Sequence, residues 1–226
     1  MKTATQNLID DLVGDLKPVN APGRISRPVV FWLSLATVYS IVSVFVSGPL
    51  REGALRHLIE LPLFTGETLL AVIAIAVTAI ASLRIALPGR NSPMRALTGV
   101  LILIALWVAI YVVDFWHPVH PVSTLGGRGD CFWQVPLFSL PSFAFLLYLA
   151  RRQYPLWPRT TGLLAGIAAA AIPAELMQFG CMYEPAHILT HHMAPILVTA
   201  TIGWFIGPYV LRLRRVVPRR RDASIH

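Results

Sequence analysis

The stretch ALTGVLILIALWVAIYVV, Ala96–Val113, runs for 18 residues without a charged side chain. A helix needs about 20 predominantly apolar residues to cross the hydrocarbon core of a bilayer, so this run reads as a transmembrane span. Five more of the same kind flank it: Val29–Val46, Leu61–Leu83, Phe132–Leu149, Thr161–Phe179 and Met193–Leu211. In lipid a helix satisfies its own backbone polar groups, which an open sheet or irregular chain does not. The expected fold is therefore all-α, a polytopic integral membrane protein of six transmembrane helices. Composition agrees, with 55% hydrophobic and 13% charged residues against about 25% charged in an ordinary soluble domain. The organisation expected is an amphipathic segment over 1–27, a transmembrane domain over 28–213 and a basic tail over 214–226. The polar 1–27 segment shows no short apolar run with a small-residue cleavage site, so the first span is expected to stay in place as a signal anchor.

Orientation follows from the basic side chains, because Lys and Arg are retained on the cytoplasmic side. Of the 19 such residues, sixteen fall on the side of the two termini and three (Arg51, Arg56 and Arg128) on the other. Both termini are thus expected in the cytoplasm. The same asymmetry accounts for the net charge of +8. The cluster from Arg212 to Arg221 reads as a topology signal and a contact for anionic lipid, with no direct role toward nucleic acid. Small residues mark packing faces: Gly162, Gly166, Ala170 and Ala174 recur every four residues, and Gly203 and Gly207 do so in the sixth span. Such faces let helices approach closely in lipid. Packing within the chain is the expected use, with homodimerisation as the alternative. Pro136, Pro141, Pro173 and Pro195 are expected to kink their helices, which a helix bundle tolerates.

With this topology a second asymmetry emerges. Six of the seven histidines (His57, His117, His120, His187, His191, His192) lie on the outer side. So do Cys131, Cys181, Asp114, Asp130 and Glu184. Cys131 opens the fourth span and Cys181 closes the fifth, equally far from the turn near Leu156. An antiparallel hairpin places them at similar depth, although helix axes about 8–10 Å apart demand a favourable rotation before sulfurs meet. A reversible disulfide, a thiolate metal site, a permanent structural disulfide and two inert buried thiols are all open readings. Imidazole suits zinc, copper, nickel and iron, so Cys131, Cys181, His187, His191 and His192 are the candidate metal ligands; histidines that merely solvate a helix end are the alternative. The run His187-x3-His191-His192 is similar to the histidine boxes of membrane desaturases, but the histidine count is too low for that class and the side is wrong. Glu67 and Glu175 lie inside spans, where a carboxylate is costly. They are expected to be hydrated or hydrogen-bonded near the outer surface, or to complete a metal or proton site with the cysteines. No phosphate loop, no Ser-His-Asp pattern and no CxxC is present, which argues against an enzyme. A small metal or solute transporter using the outer histidines is the competing class, although paired Gly/Pro-broken spans are not seen.

The amino-terminal LIDDLVGDLKPV, the ALPGR ending the second span, GGRGDCFWQVPLFSLPSFAFLLYLARRQYPLWPRTTGLLAGIAAAAI, FGC and HHMAP occur in this order. Together they resemble the NrsF-type anti-sigma factors, six-helix proteins of the bacterial inner (cytoplasmic) membrane, over nearly the whole chain. The resemblance implies that the protein holds an extracytoplasmic-function sigma factor at its cytoplasmic face. It also implies that Cys131 and Cys181 are sensor thiols which trigger release under oxidative or heavy-metal stress. No cofactor is expected with certainty, but a transition or heavy metal ion is a candidate signal. The loop after Cys181, MYEPAHILTHH, carries more histidine than the family pattern and leans the stimulus toward metal. In the first segment Leu8, Ile9, Leu12, Val13 and Leu16 recur at helical spacing, interleaved with Asp10, Asp11 and Asp15. These eight residues are the expected sigma-binding face. The alternative, a helix lying on the membrane, is disfavoured by aspartates beside an anionic leaflet.

Overall fold

The computed structural model describes residues 3–14, 25–88, 92–118 and 128–212. The linker containing Asp15 and Leu16, the loop with His120 and the tail over 214–226 lie outside these. In chain order the helices are α1 (Ala4–Gly14), α2 (Ser26–Ser47), α3 (Ala54–Glu60), α4 (Pro62–Ile85), α5 (Pro93–Trp116), α6 (Cys131–Arg151), α7 (Pro158–Gly180), α8 (Pro185–His187) and α9 (Ala194–Val210). A π-helical stretch, Ile188–Met193, joins α8 to α9. Among the described residues there is no strand, and six helices are long and apolar enough to cross a membrane: α2, α4, α5, α6, α7 and the continuous run Pro185–Val210.

Five of these match the expected spans to within a few residues. The sixth begins at Pro185 where Met193 was expected. Glu184 accounts for the difference, because its carboxylate accepts the backbone N–H of Ala186 at 3.3 Å and of His187 at 2.7 Å. With a side-chain cap and a proline at the first position, a helix starts there despite the polar composition. The histidine run therefore sits on a helix rather than in a loop.

The spans are unequal in burial. In α5 the buried side chains are Val100, Trp107, Tyr111 and Asp114, a narrow stripe at helical spacing that leaves most of the helix facing outward. α2 is similar, with Val29, Trp32, Ala36, Ser40 and Val44 inside and Val30, Phe31, Leu35, Val38 and Phe45 outside. The Trp32 indole N–H donates to the Ser142 carbonyl at 2.8 Å, tying α2 to α6. By contrast, 89% of the α7 span is buried. It touches α2, α4, α5, α6 and α9, because its Gly and Ala positions present almost no side chain on any face.

The closest approach is between α7 and α9. A Cβ on Gly162 would collide with the Gly203 carbonyl oxygen, and one on Gly203 with that of Gly162. The small-residue faces are thus spent within the chain. We expect Gly203→Val to force the two backbones apart and cost about 1–3 kcal/mol as overpacking, read as a lowered thermal midpoint in detergent. Gly99→Val on α5, where a Cβ meets nothing within 4 Å, should leave the midpoint nearly unchanged.

Candidate functional site

Cys131 is the first residue of α6 and Cys181 follows the last residue of α7. Cys181 is extended, with its N–H bonded to the Met177 carbonyl at 2.7 Å. Because the two cysteines sit at helix ends rather than on opposed faces, their sulfurs meet where interhelical spacing alone would keep them apart. Both thiols are free and fully buried, and the sulfurs are 3.1 Å apart, with Cys131 donating. That hydrogen bond holds the Cys181 thiol below the ordinary thiol range against the opposing effect of burial, and His187 and His192 act in the same direction.

His187 brings its Nε2 to 3.2 Å from the Cys181 sulfur. The His192 ring lies edge-on to that of His187, with centroids 5.2 Å apart at 85°. One donor atom from each of Cys131, Cys181, His187 and His192 lies within 4.8 Å of the others. His192 is fully buried, and neither of its ring nitrogens makes a well-formed hydrogen bond, although the Cys181 sulfur is near enough to interact with the ring. Such an imidazole is costly to bury.

The π-helical stretch makes this pairing. At 3.6 residues per turn, an α-helix would turn two side chains five apart about 140° away from each other. A wider i→i+5 turn, of the kind often found at functional sites, returns them to one face. Pro195 has no N–H for the carbonyl four residues earlier, which weakens the regular ladder across this region. His191, expected as a third ligand, is outside the cluster. It stacks on His187 with centroids 4.3 Å apart and meets the Thr190 hydroxyl through Nδ1 at 2.7 Å.

Beside the thiols lies a buried polar network. The Tyr183 hydroxyl donates to both Glu67 carboxylate oxygens, at 2.8 and 2.9 Å. Gln178 donates through Nε2 to the Tyr111 hydroxyl at 2.7 Å and to Glu175 at 3.2 Å. The Trp107 indole reaches the same Tyr111 oxygen at 3.2 Å. Of the two expected states, Glu67 and Glu175 take the hydrogen-bonded one, both buried, with Glu175 Oε1 making no hydrogen bond, and they lie outside the cysteine–histidine cluster. Burial also pushes the Tyr183 hydroxyl up, with Glu67 adding to it.

Two of the three arginines on this side are structural parts of it. Arg51 is buried, its guanidinium 5.6 Å from the Tyr183 ring centre and 3.0 Å from His57 Nδ1. Burial lowers the pKa of both Arg51 and His57. Arg128 donates to the Ser47 hydroxyl at 2.8 Å and the Pro49 carbonyl at 2.5 Å, beside Gly48 and Gly180. In the sequence these arginines read only as the minority of charge on one side. Their presence on the side poor in Lys and Arg was the signal that they hold something. Tyr183, Gln178 and Tyr111 carried no such signal.

The remaining candidates lie apart from the cluster. His117 caps the end of α5, and Asp130 and Glu184 precede α6 and α8. Far along the chain, α1 exposes Leu8, Ile9, Leu12 and Val13, interleaved with Asp10 and Asp11. It touches no other helix among the described residues.

A family model described as NrsF, negative regulator of sigma F, matches residues 12–213. No curated protein and no solved structure matches the chain. Closing the sulfur contact to a disulfide of about 2.05 Å needs only a small approach. A dithiol oxidant such as diamide should therefore remove both thiols from maleimide labelling of the denatured chain without forming a dimer. Cys131→Ser should keep Cys181 labelled.

Proposed function

The chain belongs to the NrsF family of negative regulators of sigma F, and from that membership we propose a membrane-bound anti-sigma factor that senses stress at its far end. It holds an extracytoplasmic-function sigma factor at the cytoplasmic face of the bacterial inner membrane. It releases that factor when the periplasmic pair Cys131 and Cys181 is oxidised or takes up a metal ion. The observation that carries the sensor half is the contact of two free, buried thiols at 3.1 Å. Oxidation by a peroxide joins the sulfurs, and the two electrons and two protons reduce the peroxide, to water where it is hydrogen peroxide.

The apolar face of α1 suits the sigma-binding role. Leu8, Ile9, Leu12 and Val13 would lie in a groove on the partner, with Asp10 and Asp11, and beyond them Asp15 and Leu16, meeting a basic surface. The link between the two ends is α7, which carries the thiol end at Cys181 and is packed along its length, so that a shift at one end is passed on rather than absorbed. Only a difference in sigma affinity between the two states moves the equilibrium, and a tenfold loss requires about 1.4 kcal/mol. Transport of a metal or solute through the outer histidines is the competing reading, and it predicts no retention of a sigma factor.

Co-purification from membranes tests the binding half. Wild-type protein should retain the sigma factor, and replacing Leu8, Ile9, Leu12 and Val13 together by Ser should reduce retention at least about tenfold. In a sigma-dependent reporter strain, Cys131→Ser and Cys181→Ser should each abolish induction by peroxide or cadmium while sigma stays bound. Normal induction in the double variant would sink the sensor role.

A further inference from the structure

The geometry points to a closed coordination site: we propose that Cys131, Cys181, His187 and His192 together bind one thiophilic divalent cation of the zinc and cadmium class. The inference rests on reading the cysteine pair as the sensor, and it supplies the pair's ligand and the two histidines that complete it.

The donor set is the first argument. Two thiolates and two imidazoles are one of the recurring tetrahedral zinc sets, and soft sulfur ligands select zinc-like ions over hard ones. Burial is the second. Cys131, Cys181 and His192 are fully buried and His187 is 8% exposed, so no position is left open for water or substrate, as in structural rather than catalytic sites. Charge is the third: two thiolates and a divalent cation sum to zero, which suits a low-dielectric setting. Binding displaces one proton from each thiol and takes both imidazoles neutral, so that M²⁺ and two thiols give a dithiolate complex and two protons. A ring nitrogen of His192, which makes no well-formed hydrogen bond in the protein, would become a ligand.

The geometry also separates the two signals mechanically. With metal–sulfur bonds of about 2.3 Å, tetrahedral coordination sets the sulfurs about 3.8 Å apart. They are 3.1 Å apart here. A disulfide instead draws them to about 2.05 Å. A cation therefore pushes the start of α6 away from the end of α7, whereas an oxidant pulls them together. The cation in addition recruits the first turn of the last span through His187 and His192, which a disulfide does not touch.

The test uses the full chain in detergent, reduced and anaerobic, titrated with Co²⁺ and then Zn²⁺. One cobalt per chain should bind, with the visible bands of a tetrahedral site and a thiolate-to-cobalt charge-transfer band, and one equivalent of zinc should erase both. His187→Gln and His192→Gln should each weaken zinc binding at least about tenfold, whereas His191→Gln should not. The variants should keep the wild-type helical circular dichroism, and His192→Cys, which restores a soft ligand, should regain the cobalt bands. Absence of cobalt binding, binding without thiolate charge transfer, or wild-type zinc affinity in His192→Gln would overturn the site. Sigma retention by the same preparations reads the other hypothesis separately. A chain that retains sigma and responds to peroxide through its cysteines but binds no cation drops only the metal. A chain that binds the cation but retains no sigma upholds the site and overturns the anti-sigma reading.

Discussion

The backbone contact of α7 with α9, centred on Gly162 and Gly203, is the constraint from which the arrangement of the bundle follows. Lipid tails are as apolar as leucine, so burial alone gives helices in a bilayer little reason to associate, and close van der Waals packing must supply it. Only residues without bulk permit that approach. By presenting Gly and Ala on nearly every face, α7 becomes the axis around which α2, α4, α6 and α9 gather, while α5 stays at the rim with one buried stripe. The same contact has a local consequence. Residues 181–184 connect α7 directly to the last span, so holding those two helices together also fixes the end of one against the start of the other.

At that junction the protein concentrates its costly groups. The carboxylate of Glu67 is met by Tyr183 from the connecting segment, and Gln178 bridges Glu175 to Tyr111 of α5. Arg51 meets His57 of α3, and Arg128 holds the end of α2 through Ser47 and Pro49. The Tyr183–Glu67, Gln178–Tyr111 and Arg128 bonds join parts of the chain remote in sequence, while Glu175 Oε1, Gln178 Oε1 and two Arg51 nitrogens make no hydrogen bond. The thiols lie beside contacts that tie α4 to the segment before the last span and α5 to α7.

The other end of the chain has the opposite character. α1 exposes its apolar residues and touches no other helix among the described residues. One end is packed and polar, and the other offers an amphipathic surface that meets no helix among the described residues.

Hydropathy alone determined the class of fold, because the length and apolarity of Ala96–Val113 and its five counterparts leave few other structures in lipid. Spacing also revealed the α7 and α9 glycine faces, since a four-residue repeat of small side chains is itself the packing surface. The residues flanking the cysteines were legible as a group, but not their partnership. Helical periodicity pairs His187 with His191, and only the π-helical turn, a backbone choice made under tertiary packing and the capping by Glu184, brings His192 to the thiols instead. The sequence left Glu67 and Glu175 either hydrated or hydrogen-bonded, because it shows an acid's depth but not that Tyr183 arrives at Glu67 or that Gln178 turns its amide to Glu175. Local patterns are set by covalent neighbours and can be read in order; contacts between sulfur, imidazole and carboxylate groups depend on how separate helices meet, and that the folded bundle alone decides.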